Sequence, residues 1–165
     1  MKGTHEETNR LGEAASYDEI FSIVKGHVEE VLGLHRAGLT LGLARLPPGI
    51  GAYHIVGSNM IVLNKDIVER VRKAEPPEIV ASFIYMLLLH EYLHSLGMME
   101  EEQVRKTSEE VATRVLGAGH PASVLIRTPL TELFPYLGTL RYADSPLGDI
   151  EVVKDFDSKS YPFIS

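Results

Sequence analysis

Two histidines four positions apart, His90 and His94, enclose Glu91 in the stretch His90-Glu91-Tyr92-Leu93-His94. On an α-helix, residues at i and i+4 stack one turn above each other, so both imidazoles can reach a single metal ion. Glu91 lies about 100° around the wheel from His90, placed to address a water on that ion without ligating it. This is the mechanics of the H-E-x-x-H pattern, two zinc ligands and a general base. The chemistry expected is zinc-dependent hydrolysis of a peptide bond, with His90 and His94 holding Zn2+ and Glu91 accepting the proton. The preceding residues 79–89 are almost wholly apolar, as in a helix buried on all sides. Two histidines and a glutamate at the end of such a helix are costly to bury without a partner. The bland alternative is a helix end that emerges into solvent and carries two histidines for no metal.

The rest of the composition bounds this reading. A chain of 165 residues with 44% hydrophobic content predicts one domain with a sizeable core. Net charge is −7 without a basic cluster, which argues against nucleic acid or an anionic membrane as partner. With no cysteine, neither disulfides nor thiolate metal sites are available. The apolar run is too short for a membrane span, and the first residues lack the apolar core of a signal peptide, so a soluble cytoplasmic protein is expected. Asn and Gln are scarce and Glu plentiful, a pattern that hints at a thermophilic source.

The elements that must position the motif follow from periodicity and punctuation. Residues 1–16 read as a flexible tail. Ile20, Phe21, Val24, Val28, Val31 and Leu32 recur at helical spacing behind Ser16, predicting a helix over 17–34. Strands are expected over 39–46, 52–56 and 59–63, with Gly57-Ser58 as a turn between the last two. Asn64 caps a further helix, and Pro76-Pro77 ends it and opens the motif helix. Gly97 stops that helix, and residues 100–116 form the next, acidic first and more basic later. His120-Pro121 begins a short segment to Arg127, after which the pattern dissolves towards a polar C-terminal tail at 143–165. The fold class expected is α+β, with a small mixed sheet packed on a buried motif helix.

With the motif placed, the chain resembles the zincin metallopeptidases, and among them the small archaeal minigluzincins. The resemblance covers roughly residues 17–116 and is specific at His90, Glu91 and His94. It implies a compact zincin-like domain over 17–142 that acts on peptides or unfolded protein. It also implies a sheet edge that pairs with extended substrate above the metal, here residues 53–63, through main-chain hydrogen bonds.

The third ligand stays open between patterns. Catalytic zinc takes three protein ligands and keeps one open position. Glu100, six residues after His94 and beyond a Gly turn, resembles the metzincin arrangement with Glu in place of His, and no methionine follows Met99 to form that group's Met-turn. The gluzincin arrangement instead draws a Glu from the next helix, where Glu109 or Glu110 stands near the level of His90 if the two helices run antiparallel. Glu100 is the single-residue choice, with His120 further back. Glu100, Glu101 and Glu102 also read simply as an acidic first turn, and Glu109 and Glu110 as a solvated face, yet a bound zinc needs one of these five. Tyr53, Tyr136, Tyr142 and His120 are candidates to steady an oxyanion. His5, His27, His35 and His54 read as ordinary surface or boundary residues.

Two readings from other classes compete. A ribosomal-RNA maturation endoribonuclease family carries His-x-x-x-His-x-x-Gly-x-x-His, which the stretch from His90 partly matches. That family has Gly at the position of Glu91 and His as third ligand. The other is a zincin-fold binding protein without turnover. The resemblance also suggests self-inhibition, in which the acid- and valine-rich C-terminal tail adds beside the substrate edge and offers a carboxylate to the metal.

Overall fold

The computed structural model describes residues 10–14, 16–47, 49–139 and 150–157. A first helix, α1 (Tyr17–Leu32), opens where Ser16 and Glu19 cap each other reciprocally and ends at Gly33, whose φ of 70° is left-handed. It lays Ile20, Phe21, Ile23, Val24 and Val28 into the core. Lys25 and His27 are buried on the same helix, against the expectation of a surface or boundary histidine at 27. The His27 ring meets the hydroxyl of the fully buried Tyr85 at 2.7 Å.

Strands β1 (Thr40–Ala44), β2 (Ala52–His54) and β3 (Met60–Asn64) follow, and β4 (Glu151–Val153) completes a sheet of order β2-β3-β1-β4. β1 runs parallel to β3, while β2–β3 and β1–β4 are antiparallel, giving the mixed sheet expected. At the end of β3 the side chain of Asn64, fully buried, does more than cap. It accepts from Asp66 N–H and donates to the carbonyls of Leu46 (3.1 Å), Pro47 (3.3 Å) and Ile50 (2.9 Å). One amide thus ties the loop that leads into β2 to the start of α2 (Lys65–Ala74).

Helix α3 (Pro77–Ser95) is the hub, with Pro77 at its first turn and Phe83, Tyr85, Leu88, Leu89, Tyr92 and Leu93 wholly buried. Around it pack α1, α2, β2 and β3, then α4 (Glu101–Leu116) and α5 (Pro121–Arg127). A short α6 (Leu130–Leu133) and a 3-10 turn (Pro135–Thr139) close the described part of this region. None of the described helices is long and apolar enough to cross a membrane.

Both ends differ from the tails expected. Residues 10–13 are helical, and Leu11 is fully buried; residues 1–9 lie outside the described set. At the other end, 150–157 folds back into the body. β4 pairs with β1, Phe156 stacks on Phe21 with ring centroids 4.3 Å apart, and Asp157 forms an ion pair with Lys25, each side chain 5% exposed. The other carboxylate oxygen of Asp157 accepts the N–H of Leu39 at 2.8 Å. The close approach explains a glycine inside a strand: a Cβ on Gly42 would lie 2.4 Å from Ile150 Cγ2. The tail does add as a strand, but at the edge opposite β2; residues 144–149 of the proposed inhibitory segment lie outside the described residues.

Removing one partner of a buried ion pair strands the other's charge, at a cost of about 3–5 kcal/mol. Asp157→Ala is therefore expected to lower the free energy of unfolding by about that amount, read from urea denaturation. Truncation before residue 144 is expected to destabilise the fold; unchanged stability on removal would mean that the Lys25–Asp157 contact contributes nothing.

Candidate metal centre and cleft

The last turn of α3 sets the geometry. The helix ends with Gly97 N–H on the carbonyl of His94 and Met98 N–H on that of Leu93, and Gly97 has φ 106°. This paired closure with a left-handed glycine is the Schellman arrangement. It brings the Met98 carbonyl to 2.8 Å from Nδ1 of His94. A carbonyl only accepts, so Nδ1 carries the hydrogen and the ring presents Nε2 outward.

At that Nε2 stands Glu101, the first residue of α4, with both carboxylate oxygens 3.1 Å away. Nε2 of His90 is 2.8 Å from the same carboxylate, and the two imidazole rings are 5.0 Å apart between centroids. The three residues form a group whose ligand atoms all lie within 4.8 Å of one another. Glu101, rather than Glu100, Glu109 or Glu110, is the acid brought to the two imidazoles. The five-residue link 96–100 delivers the start of α4 to the histidines. Glu100 becomes its N-cap residue. Glu109 and Glu110 lie near Arg105 and Arg114 of their own helix, at 3.7 and 3.5 Å.

The donor set fits a divalent metal on its own chemistry. With Nδ1–H committed to Met98, a neutral His94 offers a lone pair to an ionised carboxylate, and two acceptors at 3.1 Å repel. The contact requires a second proton on the ring or a cation between the groups. Tetrahedral zinc with bonds of about 2.0–2.1 Å holds its ligand atoms roughly 3.3 Å apart, near the 2.8 and 3.1 Å between each imidazole nitrogen and the Glu101 carboxylate. The Glu101 side chain is 72% exposed, and exposed ion pairs contribute about 0–1 kcal/mol, so stability gives little reason for the cluster. Burial pushes the Glu101 carboxyl up, but hydrogen bonds and charge from His90 and His94 outweigh it and hold it below its ordinary value.

Glu91 is only 6% exposed. Burial pushes its carboxyl up to about 7, against the lowering effect of the His94 charge and of a hydrogen bond from the His54 backbone. A carboxyl titrating near neutrality suits proton transfer in both directions.

Two cavities, of ≈500 and ≈640 Å3, meet at Ala52, Glu91 and Glu101 and form one cleft across the cluster. The first is bordered by Arg36, Tyr53, His54, Ser58 and His94, the second by Ile50, Leu87, Ile126 and Leu130 among others. β2 forms the wall. The bonds of Ile55 N–H to Met60 and of Asn64 N–H to Gly51 fix the antiparallel register with β3. By alternation, the backbone groups of Ala52 and His54 then face away from β3.

Of the oxyanion candidates, Tyr53 lines the cleft, while Tyr136 donates to Glu75 at 2.8 Å and lines neither cavity. His120 caps α5 by accepting Ala122 N–H, and Tyr142 lies outside the described residues. His54 and Arg36 escaped the sequence reading. His54 Nε2 lies 3.1 Å from the Ser58 carbonyl, and its position on a strand beside the motif helix was its one signal. Nothing marked Arg36 in a loop of glycine, histidine and alanine.

No family model, curated protein or solved structure matches the chain.

Glu101→Ala is expected to weaken zinc binding by more than the about 10–100-fold that follows loss of a group merely orienting a ligand. Glu100→Ala, Glu109→Ala and Glu110→Ala should each change it by only a few-fold. Competition against a chromogenic chelator reads all four; a parent-like affinity in Glu101→Ala would remove it from the ligand set.

Proposed function

We propose that the chain is a zinc-dependent peptidase, with zinc held by His90, His94 and Glu101 and with Glu91 as general base. The observation that carries this is the conflict at His94: its hydrogen is fixed on Met98, its lone pair faces a carboxylate, and a buried glutamate adjoins. A zinc ion supplies Lewis acidity there, polarising a carbonyl and making water a stronger acid. The protein's own part is proton handling. Glu91, buried beside the cluster, takes the proton of the attacking water and passes it to the leaving amine.

Peptide as substrate rests on the cleft's shape and wall. Outward backbone groups of Ala52 and the carbonyl of His54, whose N–H is spent on Glu91, offer main-chain hydrogen bonds to an extended chain lying across the cluster. The cleft mixes Glu91 and Glu101 with Arg36 and His54, and a polyanion such as RNA gains little from that balance. The described part of the C-terminal segment contributes nothing to the cleft lining, so the self-inhibition reading finds no support in residues 150–157.

Glu91→Gln is expected to retain zinc at parental stoichiometry and to lose about 10²–10⁴ in hydrolysis of a casein-like substrate. Metal analysis and a fluorogenic assay on the same preparation check both halves. Full activity in that variant would end the mechanism.

A further inference from the structure

The first cavity contains a fixed cation that the proposed reaction leaves unused. Arg36 is half-buried, and its guanidinium is pinned from two sides, donating from one terminal nitrogen to the Ser95 carbonyl (2.7 Å) and from the other to the Ser58 carbonyl (3.1 Å). Its own backbone N–H donates to the hydroxyl of the buried Tyr92 at 2.9 Å, which fixes the loop beneath it. Held this way, the fork has lost its rotamer freedom before any ligand arrives.

The other arginines near the cleft are spent differently. Arg105 is bound to Glu102 and lies near Glu109, and Arg127 donates to the Ala118 carbonyl from an exposed position. Among the described residues, no carboxylate comes within ion-pair distance of Arg36. Its two partners are neutral carbonyls, and a guanidinium carries five N–H donors. A full positive charge and unused donors therefore remain on the wall of a cavity that reaches Glu91 and His94. Glu91 and Glu101, the acids lining the same cavity, are engaged at the cluster.

We propose that Arg36 is a specificity-determining residue that binds a carboxylate of the substrate on the His54 side of the reacting bond. The proposal rests on the peptidase reading above. The carboxylate belongs to an acidic side chain or to a free peptide C-terminus, which offer the same planar pair of oxygens to the arginine fork. The second cavity, lined by Ile50, Leu87, Ile126 and Leu130, takes an apolar side chain across the cluster. A purely structural Arg36, serving only to close the end of α3, would affect all peptides alike.

The experiment uses the full chain, zinc-loaded, with Glu91→Gln as background so that peptides stay intact. Fluorescence anisotropy compares three labelled peptides of one sequence: capped ends with a single Glu, capped ends with Gln in its place, and the Gln peptide with a free C-terminal carboxylate. At least one acidic peptide should bind about tenfold tighter than the capped Gln peptide, as a charge-assisted contact warrants, and which one does so names the source. Arg36→Gln should bring the ratio near one, and Arg36→Lys should retain part of it. Acidic peptides that bind no better than the capped Gln peptide, or not at all, would overturn the proposal, as would a preference that survives Arg36→Gln. Should Arg36→Gln fail to fold, the ratio in the arginine-bearing chain and its loss in Arg36→Lys at raised salt decide the matter. Hydrolysis by the parent is measured separately: activity without carboxylate preference removes Arg36's role alone, and an Arg36-dependent preference in a chain that hydrolyses nothing removes the peptidase reading alone.

Discussion

The structure depends on one constraint: a helix apolar on every face has to be surrounded. α3 buries thirteen of its nineteen residues, including both of its tyrosines, and no single sheet or helix could cover it. Hence α1, α2, α4, α5 and the sheet's β2–β3 end all pack against it. The shell is open at the C-terminal turn, where His90 and His94 are partly exposed and Glu91 is drawn inside. The cleft is the gap left where polar side chains prevent the shell from closing.

That gap has an internal logic of donors and acceptors. Ordinary helix termination at Gly97 places a carbonyl against the ring of His94, and this settles where the hydrogen sits before any ligand arrives. The same short link then starts α4 with an acid. Local backbone closure and site chemistry are therefore one event: altering the turn would change the ring's tautomer as well as the path of the chain.

Much of this was legible beforehand. The cap at Ser16, the turn between β2 and β3, Asn64 as a cap and the stop at Gly97 all follow from residue types acting over a few positions. Glu101 was not singled out, because which of three consecutive acids faces the histidines depends on the path of a five-residue link. The edge that the C-terminal strand joins was misplaced for a related reason, since Val152 and Val153 lie among acids and their partner is more than a hundred positions away. Two traces of it were present all the same. Lys25 sits on the apolar face of α1, where a lysine needs a buried anion, and Gly42 interrupts a strand where something must approach closely. His27 went the other way: its helix face was apolar, and the Tyr85 hydroxyl 2.7 Å from its ring helps to make its burial tolerable.

The return of residues 150–157 to the sheet also has a temporal side. Asp157 is separated from Lys25 by 132 positions and from Leu39 by 118, so these contacts close very large loops. Contacts of such separation slow folding, because loop entropy is lost before the contact gives anything back. During synthesis, α1 and the first three strands emerge well before their C-terminal partner. Until it arrives, β1 is itself a sheet edge, with unpaired backbone groups along Leu41 to Leu43 and Lys25 without its anion. A nascent chain in that state is open to pairing with another copy of itself, and its core closes only when residue 157 comes into reach.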